Sequence, residues 1–133
     1  ALAEGFETSG LANLLAGELI ILKGLPMWTI VAGVALFVTI LSEFASNVAS
    51  IQLILPVLLP LCISLNIEPK FLMIPATIAA SFGFMLPIAT APNTIVYGTG
   101  YIPIKSMLKT GFTFNLIGIL LLTIFWILFN PAH

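Results

Sequence analysis

The sequence predicts an all-α membrane protein. Of its 133 residues, 60% are hydrophobic and 7% are charged, whereas a soluble domain carries about 25% charged residues. The apolar runs are continuous and do not alternate with polar residues, which favours helices over the strands of a barrel. Polar residues and prolines interrupt these runs at two places. We therefore predict a re-entrant helical hairpin, a discontinuous transmembrane helix and a terminal transmembrane helix.

Residues 1–24 are predicted to form an amphipathic, interfacial helical segment. Leucines and a phenylalanine recur there at helical spacing, with glutamates between them. Residues 12–22 are apolar enough to enter the bilayer, but Glu18 interrupts them, and we expect an interfacial position. No basic stretch followed by an apolar run marks a signal peptide. The segment starts abruptly and without Met, and we expect the chain to be part of a longer protein.

Residues 25–66 are predicted to form the re-entrant hairpin, with its tip at 43–50. The apolar runs 27–42 and 51–65 flank this polar tip, and each is shorter than the about 20 residues of a full crossing. A polar stretch that faces lipid would cost on the order of several kcal/mol for each unpaired backbone group. We therefore expect the tip to be buried in protein or to line a watery cavity.

Residues 67–102 are predicted to form one discontinuous transmembrane helix, broken at 87–93. The apolar run 71–86 ends at Pro87, and a second proline follows at Pro92. Each proline removes a backbone donor and clashes with the preceding helical turn. A weak helical pattern resumes after the break and ends at glycines.

Residues 103–133 are predicted to form an interfacial connector and the final transmembrane helix. The run 111–129 is uninterrupted and long enough to span, with Trp126 as an interfacial anchor. Lys105 and Lys109 in the connector weakly favour the cytoplasmic side. An equal number of lysines lies on the opposite side of the predicted crossings, and charge counting therefore leaves the topology open.

The two interruptions carry residues that suit the binding of ions. Secondary transporters use broken helices, whose N-termini present N–H groups to anions and whose unwound carbonyls coordinate Na⁺. Neutral oxygens at the first break come from the side chains of Ser42, Ser46, Asn47 and Ser50 and from the backbone carbonyls near Ala45. At the second break they come from the backbone carbonyls near Ala89 and from Thr90 and Asn93. Asn47 can give its carbonyl to a cation and its amide group to a carboxylate. The alternatives are a loop that only turns the chain and a proline kink satisfied by neighbours.

Two stretches resemble signatures of a known family. Residues 43–50, Glu-Phe-Ala-Ser-Asn-Val-Ala-Ser, resemble the Ser-Asn-Thr signature of the divalent anion/sodium symporter family, the sodium-coupled dicarboxylate, citrate and sulfate carriers. Residues 86–93 resemble its second signature, an Ala-Thr-x-Pro-Asn loop in a broken helix. The order of hairpin, broken helix and final helix also matches the C-terminal half of the family. The resemblance covers roughly residues 5–129.

The resemblance implies half of an inverted-repeat elevator transporter. In the family, the hairpin and broken helix belong to a mobile transport domain that moves against a fixed scaffold in a homodimer. The implied activity is symport of C4-dicarboxylates, such as succinate or malate, with sodium as the coupling ion and no other cofactor. The rest of the pocket and a second sodium site would lie in an N-terminal repeat outside this chain. The implied location is the plasma (inner) membrane of a bacterium.

The resemblance also implies roles for individual residues. Sodium would be bound at Ser42, Ala45, Asn47 and Ala89. Substrate would be contacted by Ser46, Asn47, Val48 and Thr90. Val48 stands where the signature commonly has Thr, and the absent hydroxyl would cost about 1 kcal/mol or more for each missing hydrogen bond. This departure leaves the exact substrate open and admits a smaller anion or a tricarboxylate. A second departure, without a clear consequence, is Ala91, which stands where many members have Pro.

Other functions stay open. The alternatives are a carrier of sulfate or another anion, a sodium-independent dicarboxylate exchanger, and a non-transporting scaffold or channel subunit. An enzyme is not expected, because the sequence holds no Ser/His, Cys/His or HExxH constellation. The net charge of −1 gives no case for nucleic acid, and the single Cys62 excludes a disulfide framework. Glu43, an acid inside the predicted membrane region, is either a coupling residue or a structural hydrogen-bonding group.

Overall fold

A computed structural model describes residues 24–129 of the chain. Every regular element in this range is helical, and the elements are α1 (Met27–Phe44), α2 (Asn47–Leu65), α3 (Pro69–Ala79), α4 (Ala91–Gly98) and α5 (Ile104–Phe129). The all-α prediction is therefore confirmed for this part of the chain. The predicted interfacial segment 1–24 lies almost entirely outside the described residues, as do residues 130–133.

Three of the helices are long and apolar enough to cross a membrane. They are α1, α2 and α5, with 18, 19 and 26 residues, and a crossing needs about 20. Large apolar side chains are exposed along them, including Phe37, Ile63 and Leu121 at 57%, 70% and 60%. Apolar surface of this extent is unfavourable in water but is what lipid requires. The chain is therefore an integral membrane protein.

Helices α1 and α2 form an antiparallel hairpin. They are joined by Ala45 and Ser46 alone, both in extended conformation. A cavity of about 270 Å³ between the helices is lined by Phe37 and Ile54 near the connection and by Ile30 and Leu61 far from it. Residues near the connection thus face each other, as do residues far from it, and α1 and α2 therefore run in opposite directions.

The hairpin connection is shorter than the predicted tip at 43–50. Helix α1 continues through Glu43, and α2 begins at Asn47. The Ser46 hydroxyl accepts the Ala49 N–H at 3.2 Å, which caps α2 and lets residues 47–50 form its first turn. The two arms are longer than predicted, and their lengths fit a full crossing as well as a re-entrant arm.

The predicted continuation of the third apolar helix to residue 86 was wrong. Helix α3 ends at Ala79, and residues 80–90, here called the break loop, are irregular. The N–H groups of Met85 and Leu86 bond to the Glu43 carboxylate and not to carbonyls one turn earlier. Helix α4 then begins at Ala91, so the break lies earlier than the predicted 87–93.

Helix α5 begins seven residues earlier than predicted. The Pro103 carbonyl accepts the Ser106 N–H at 2.9 Å, which starts the helix at Ile104 and places Lys105 and Lys109 on it. The connector therefore ends before these lysines. Glycine at position 111 serves packing and does not interrupt the helix.

The core is formed by α1, α2, α3 and α5. Helix α1 packs against α3 and α5, and α3 also packs against α2. Buried residues that meet there include Val38, Leu72 and Ile119. The Trp126 indole N–H donates to the Phe71 carbonyl oxygen at 2.8 Å, which ties the end of α5 to the start of α3. Trp126 is 8% exposed and is a core residue rather than the interfacial anchor expected from the sequence.

Candidate functional site

The hairpin connection and the break loop meet beside the middle of α5. Asn115 is the twelfth of the 26 residues of this helix, and its Nδ2 donates to Glu43 Oε1 at 2.7 Å. A Cβ at Gly111 would collide with the backbone of Phe84 and Met85, and a Cβ at Gly118 would lie 3.1 Å from the Phe82 ring. Both interruptions therefore lie at one level of the bundle.

Glu43 holds the break loop against α1. Its carboxylate accepts the Met85 N–H at 3.0 Å and the Leu86 N–H at 2.9 Å, in addition to the Asn115 amide. All three partners are donors, and an ionised carboxylate is an acceptor only. Glu43 is 3% exposed. The sequence left two roles open for Glu43, a coupling residue or a structural hydrogen-bonding group. This geometry fits the structural role, with the break loop and α5 as partners.

Gly83 brings residues from the two interruptions together. A Cβ placed on Gly83 would lie 3.1 Å from Ala89 Cβ, 3.4 Å from the Ser42 carbonyl oxygen and 3.6 Å from Thr90 Cγ2. The Ser42 carbonyl is one of the last four of α1, which have no intrahelical N–H partner. Ser42, Ala89 and Thr90, expected at separate breaks of the sequence, therefore surround one position.

The start of α2 carries the remaining predicted site residues. The Ser46 hydroxyl is engaged in capping, and Val48 is 65% exposed. Asn47 is half-buried, and its Oδ1 is buried without a hydrogen-bond partner within residues 24–129. The Ala49 N–H bonds to Ser46 Oγ and the Ser50 N–H to the Ser46 carbonyl. Within that same range, the N–H groups of Ser46, Asn47 and Val48 are then the unpaired donors at this positive helix end.

The unpaired buried side-chain atoms of the described chain are all oxygens. They are Asn47 Oδ1, Ser50 Oγ and Asn115 Oδ1. Leaving such an atom without a partner costs about 1–3 kcal/mol, and a hard cation prefers oxygen ligands of this kind. The oxygens at the hairpin connection therefore fit Na⁺.

Asn93 differs from Asn47 in what its amide does. Its Nδ2 donates to the Gly83 carbonyl at 3.0 Å and to the Leu86 carbonyl at 3.1 Å, and its backbone N–H bonds to Thr90 Oγ1 at 3.4 Å. Asn93 thus braces the break loop, while Thr90 caps α4. These bonds occupy Nδ2 and leave the side-chain oxygen of Asn93 without a bond among residues 24–129, so its suggested ion-binding role stays a prediction.

Sequence reasoning missed Asn115 and Gly83. Asn115 is a polar residue in the middle of an apolar helix, and this signal alone marks a residue with a buried partner. Gly83 gives no comparable signal, because its small size matters only when Ser42 and Thr90 lie beside it. Finding Gly83 required the folded chain.

Comparison with known proteins identifies the family of this chain. The family model described as "Sodium:sulfate symporter transmembrane region" matches residues 1–131. The chain belongs to this family. The resemblance expected from the two signatures is thereby confirmed.

Members of the sodium:sulfate symporter family include relatives from mammals and bacteria. Na(+)/dicarboxylate cotransporter 3 of Rattus norvegicus is 43% identical over 124 residues, which are 93% of this chain and 21% of the relative. Sodium-dependent dicarboxylate transporter SdcS of Staphylococcus saprophyticus is 44% identical over 124 residues, 93% of this chain and 24% of the relative. Solute carrier family 13 member 1 of Homo sapiens is 42% identical over 119 residues, 90% of this chain and 20% of the relative.

The chain therefore spans about a fifth to a quarter of the length of these curated relatives. The dicarboxylate relatives carry their substrate in their names and are named as transporters, not enzymes. Since mammalian and bacterial proteins match at similar identity, the family does not select the bacterial inner membrane expected from the sequence.

Proposed function

We propose that this chain supplies half of the substrate and sodium site of a sodium-coupled symporter for divalent organic anions, with C4-dicarboxylates such as succinate or malate as substrates. The observation that carries the proposal is the meeting of two interrupted helices at Gly83. The N-terminus of α4, which attracts anions, and a C-terminal carbonyl of α1, which attracts cations, lie together there. Family membership and the two dicarboxylate relatives support the choice of substrate.

The hairpin is proposed to be re-entrant. If α5 crosses the membrane, Asn115 near its middle lies near the midplane of the bilayer. The Glu43–Asn115 hydrogen bond then brings the hairpin connection to that depth. The start of α3 lies beside Trp126, near the C-terminal end of α5. Helix α3 would therefore enter the membrane from the face at which α5 ends, and would itself end at mid-depth. Non-helical backbone at this depth is tolerated where protein buries it or water reaches it.

The sodium ion is proposed to bind at Ser42, Ala45, Asn47 and Ala89. Of these groups, the Ser42 carbonyl lies beside Ala89 at Gly83, and Asn47 offers a buried oxygen without a partner among the described residues. When bound, the ion would supply positive charge that draws a dianionic substrate to the same place. The chain's own part is to hold these oxygens together by the Glu43 contacts to the break loop.

The substrate is proposed to contact Ser46, Asn47, Val48 and Thr90. A carboxylate at the start of α2 would accept the free N–H groups of Asn47 and Val48, together with the Asn47 amide. Val48 is exposed and offers no hydroxyl, and recognition at this position therefore comes from its backbone. Thr90 lies at the start of α4, the second positive helix end.

The transport movement is proposed to be of the elevator type, within a homodimer whose other repeat lies outside this chain. The hairpin, the break loop and α5 are joined by the buried contacts of Glu43 and by close packing at Gly111. Such contacts favour movement of these elements as one body. The scaffold against which they would move is proposed to lie in the rest of the full-length protein.

The test is reconstitution of the full-length protein that contains this chain into liposomes. Labelled succinate uptake should rise steeply with an inward Na⁺ gradient and saturate with succinate. Uptake that ignores Na⁺ would contradict symport and point to a dicarboxylate exchanger. The absence of saturable uptake, together with no Na⁺-dependent thermal shift, would favour a scaffold.

Sulfate transport is the second candidate. The family's own description names sulfate, and Val48 lacks the hydroxyl that would bind a carboxylate at that position. Competition between the two anions decides the matter. An excess of sulfate that abolishes succinate uptake, and itself enters with Na⁺, would replace the dicarboxylate assignment.

A further inference from the structure

We propose that Ser50 is a further ligand of the cation at the hairpin connection. This inference rests on the proposed sodium site and adds a residue to which the family resemblance gave no role in that site. Ser50 lies in the first turn of α2, and its side chain is 0% exposed. Its hydroxyl oxygen has no hydrogen-bond partner among the described residues.

Ser50 differs from the other buried hydroxyls of the described helices. Ser42 Oγ donates to the Thr39 carbonyl at 2.9 Å, Thr39 Oγ1 to the Ala79 carbonyl at 3.2 Å, and Thr123 Oγ1 to the Ile119 carbonyl at 2.7 Å. A buried serine in a helix ordinarily satisfies itself through a carbonyl one turn earlier. The Ser50 hydroxyl does not, although the backbone of α2 offers the same opportunity. Its oxygen is thus left for a partner outside the described chain.

The position of Ser50 relates it to Asn47. Residues three apart on a helix are neighbours on one face, with about 5–6 Å between their Cβ atoms. Both carry a buried oxygen that has no partner in the range 24–129. Two unpaired oxygens on one helix face, next to the Ser46 cap and the end of α1, form an acceptor pair.

A cation satisfies this pair better than an anion does. The Ser50 O–H could donate to a carboxylate or sulfate, but Asn47 Oδ1 can only accept and would face such an anion without a donor, whereas a cation is bound by both oxygens. Neutral hydroxyl and amide oxygens are hard ligands that suit ions of the Na⁺ type. Ser50 therefore adds an oxygen to the ligands proposed at Ser42, Ala45, Asn47 and Ala89.

The test measures Na⁺ binding in the full-length protein by two readouts. The first is the Na⁺ concentration that gives half-maximal succinate uptake in liposomes. The second is the thermal stabilisation of the purified protein by Na⁺ alone, without substrate. In Ser50→Ala we expect the half-maximal Na⁺ concentration to rise about tenfold, with a matching loss of Na⁺-dependent stabilisation.

Two further variants keep the test decisive if Ser50→Ala folds poorly. Ser50→Thr retains the hydroxyl and should restore Na⁺ affinity. Ser50→Cys is nearly isosteric but offers a soft sulfur, and should bind Na⁺ as weakly as the alanine variant. Ser64→Ala is the matched control, because Ser64 lies on the same helix and its hydroxyl is already bonded to the Leu61 carbonyl at 2.8 Å.

The outcomes separate this inference from the proposed function. If wild-type uptake responds to Na⁺ but Ser50→Ala and Ser50→Cys keep the wild-type Na⁺ dependence, Ser50 is not a ligand and the proposal is overturned. It is equally overturned if Ser64→Ala shifts Na⁺ affinity as much as Ser50→Ala does. If wild-type uptake ignores Na⁺ and Na⁺ alone gives no stabilisation, the symport proposal fails together with this one.

Discussion

The side-chain amide of Asn115 donates to Oε1 of Glu43 at 2.7 Å, joining residues that lie 72 positions apart in the chain. Both residues are buried, at 5% and 3% exposure. Glu43 extends the connection, since it also binds the backbone of Met85 and Leu86. One carboxylate thus links α1, the break loop and α5.

Glu43→Gln should destabilise the protein. The glutamine amide group would turn a donor toward N–H groups that now donate to the carboxylate, and hydrogen bonds to a charged group contribute about 1.5–3 kcal/mol each. We expect a loss of at least about 2 kcal/mol in the free energy of unfolding, measured by thermal or denaturant unfolding in detergent.

The matched control is Glu68→Gln. Glu68 pairs with Lys70 at 3.3 Å, but the two side chains are 69% and 78% exposed, and such surface pairs contribute little. Equal stability changes in the two variants would show that the Glu43 contacts do not hold the break loop.

A double-mutant cycle should reveal the coupling of Glu43 to Asn115. Asn115→Ala removes the amide, and Glu43→Gln removes the charged acceptor. Because the two side chains are in direct contact, their effects on the free energy of unfolding should fail to add by about 0.5–3 kcal/mol. Additive effects would mean that the 2.7 Å contact contributes nothing to stability.

Gly111→Ala should disrupt the packing of the break loop on α5. The added Cβ would collide with backbone atoms of Phe84 and Met85, which cannot move away as a flexible side chain can. Overpacking of this kind costs about 1–3 kcal/mol, and transport should fall with it. The midpoint of thermal unfolding measures the first effect and liposome uptake the second.

Gly33→Ala serves as the control for Gly111. Gly33 lies in α1 and has no neighbouring atoms within 4 Å of an added Cβ among the described residues. Alanine is a better helix former than glycine by about 0.8–1.0 kcal/mol, so this variant should be neutral or more stable. If Gly111→Ala proves as stable as Gly33→Ala, the close approach of the break loop to α5 is not required.

Asn47→Ala should nearly abolish uptake. The substitution removes the one side chain proposed to serve both sodium and substrate, while leaving the Ser46 cap and the helix start in place. The protein should therefore still fold, as judged by size-exclusion profile and thermal unfolding. Uptake at a normal rate by this variant would remove Asn47 from the site.

Val48→Thr should strengthen succinate binding. The side chain is 65% exposed, so the fold tolerates the change, and the new hydroxyl can donate to a carboxylate. One such hydrogen bond contributes about 0.5–1.5 kcal/mol, which corresponds to a KM for succinate roughly 2–10 times lower. Ile63→Thr, at a similarly exposed position near the other end of α2, should leave the KM unchanged. A KM that does not move in Val48→Thr would place the substrate away from this residue.

Much of the architecture follows from the composition and from the positions of the prolines and polar residues. The long apolar runs specify membrane helices because unpaired backbone groups are too unfavourable in lipid. The Ser-Asn pair and the prolines near residue 90 locate the two interruptions, and together with their family signatures they point to a site between them.

The helix ends were less predictable, because tertiary contacts determine them. Residues 80–86 are apolar enough to continue α3, yet Glu43 takes the N–H groups of Met85 and Leu86 that a helix would use. Lys105 and Lys109 suggested a connector, although local capping at Pro103 extends α5 over them. A local sequence pattern indicates only the propensity of a segment to form a helix. Contacts such as those of a buried carboxylate or a helix cap outweigh that propensity.

By itself, the sequence determined that this protein lies in a membrane as helices, that two interruptions divide those helices, and which family it belongs to. Hydrophobic length and proline placement are local properties, and they can be read without the fold. Only the tertiary structure decided that the two interruptions meet at Gly83, that Glu43 and Asn115 hold them at the middle of α5, and that the Ser50 oxygen is left unpaired within the described chain. These features depend on residues distant in sequence, and they exist only once packing excludes water and decides which buried polar atoms have a partner.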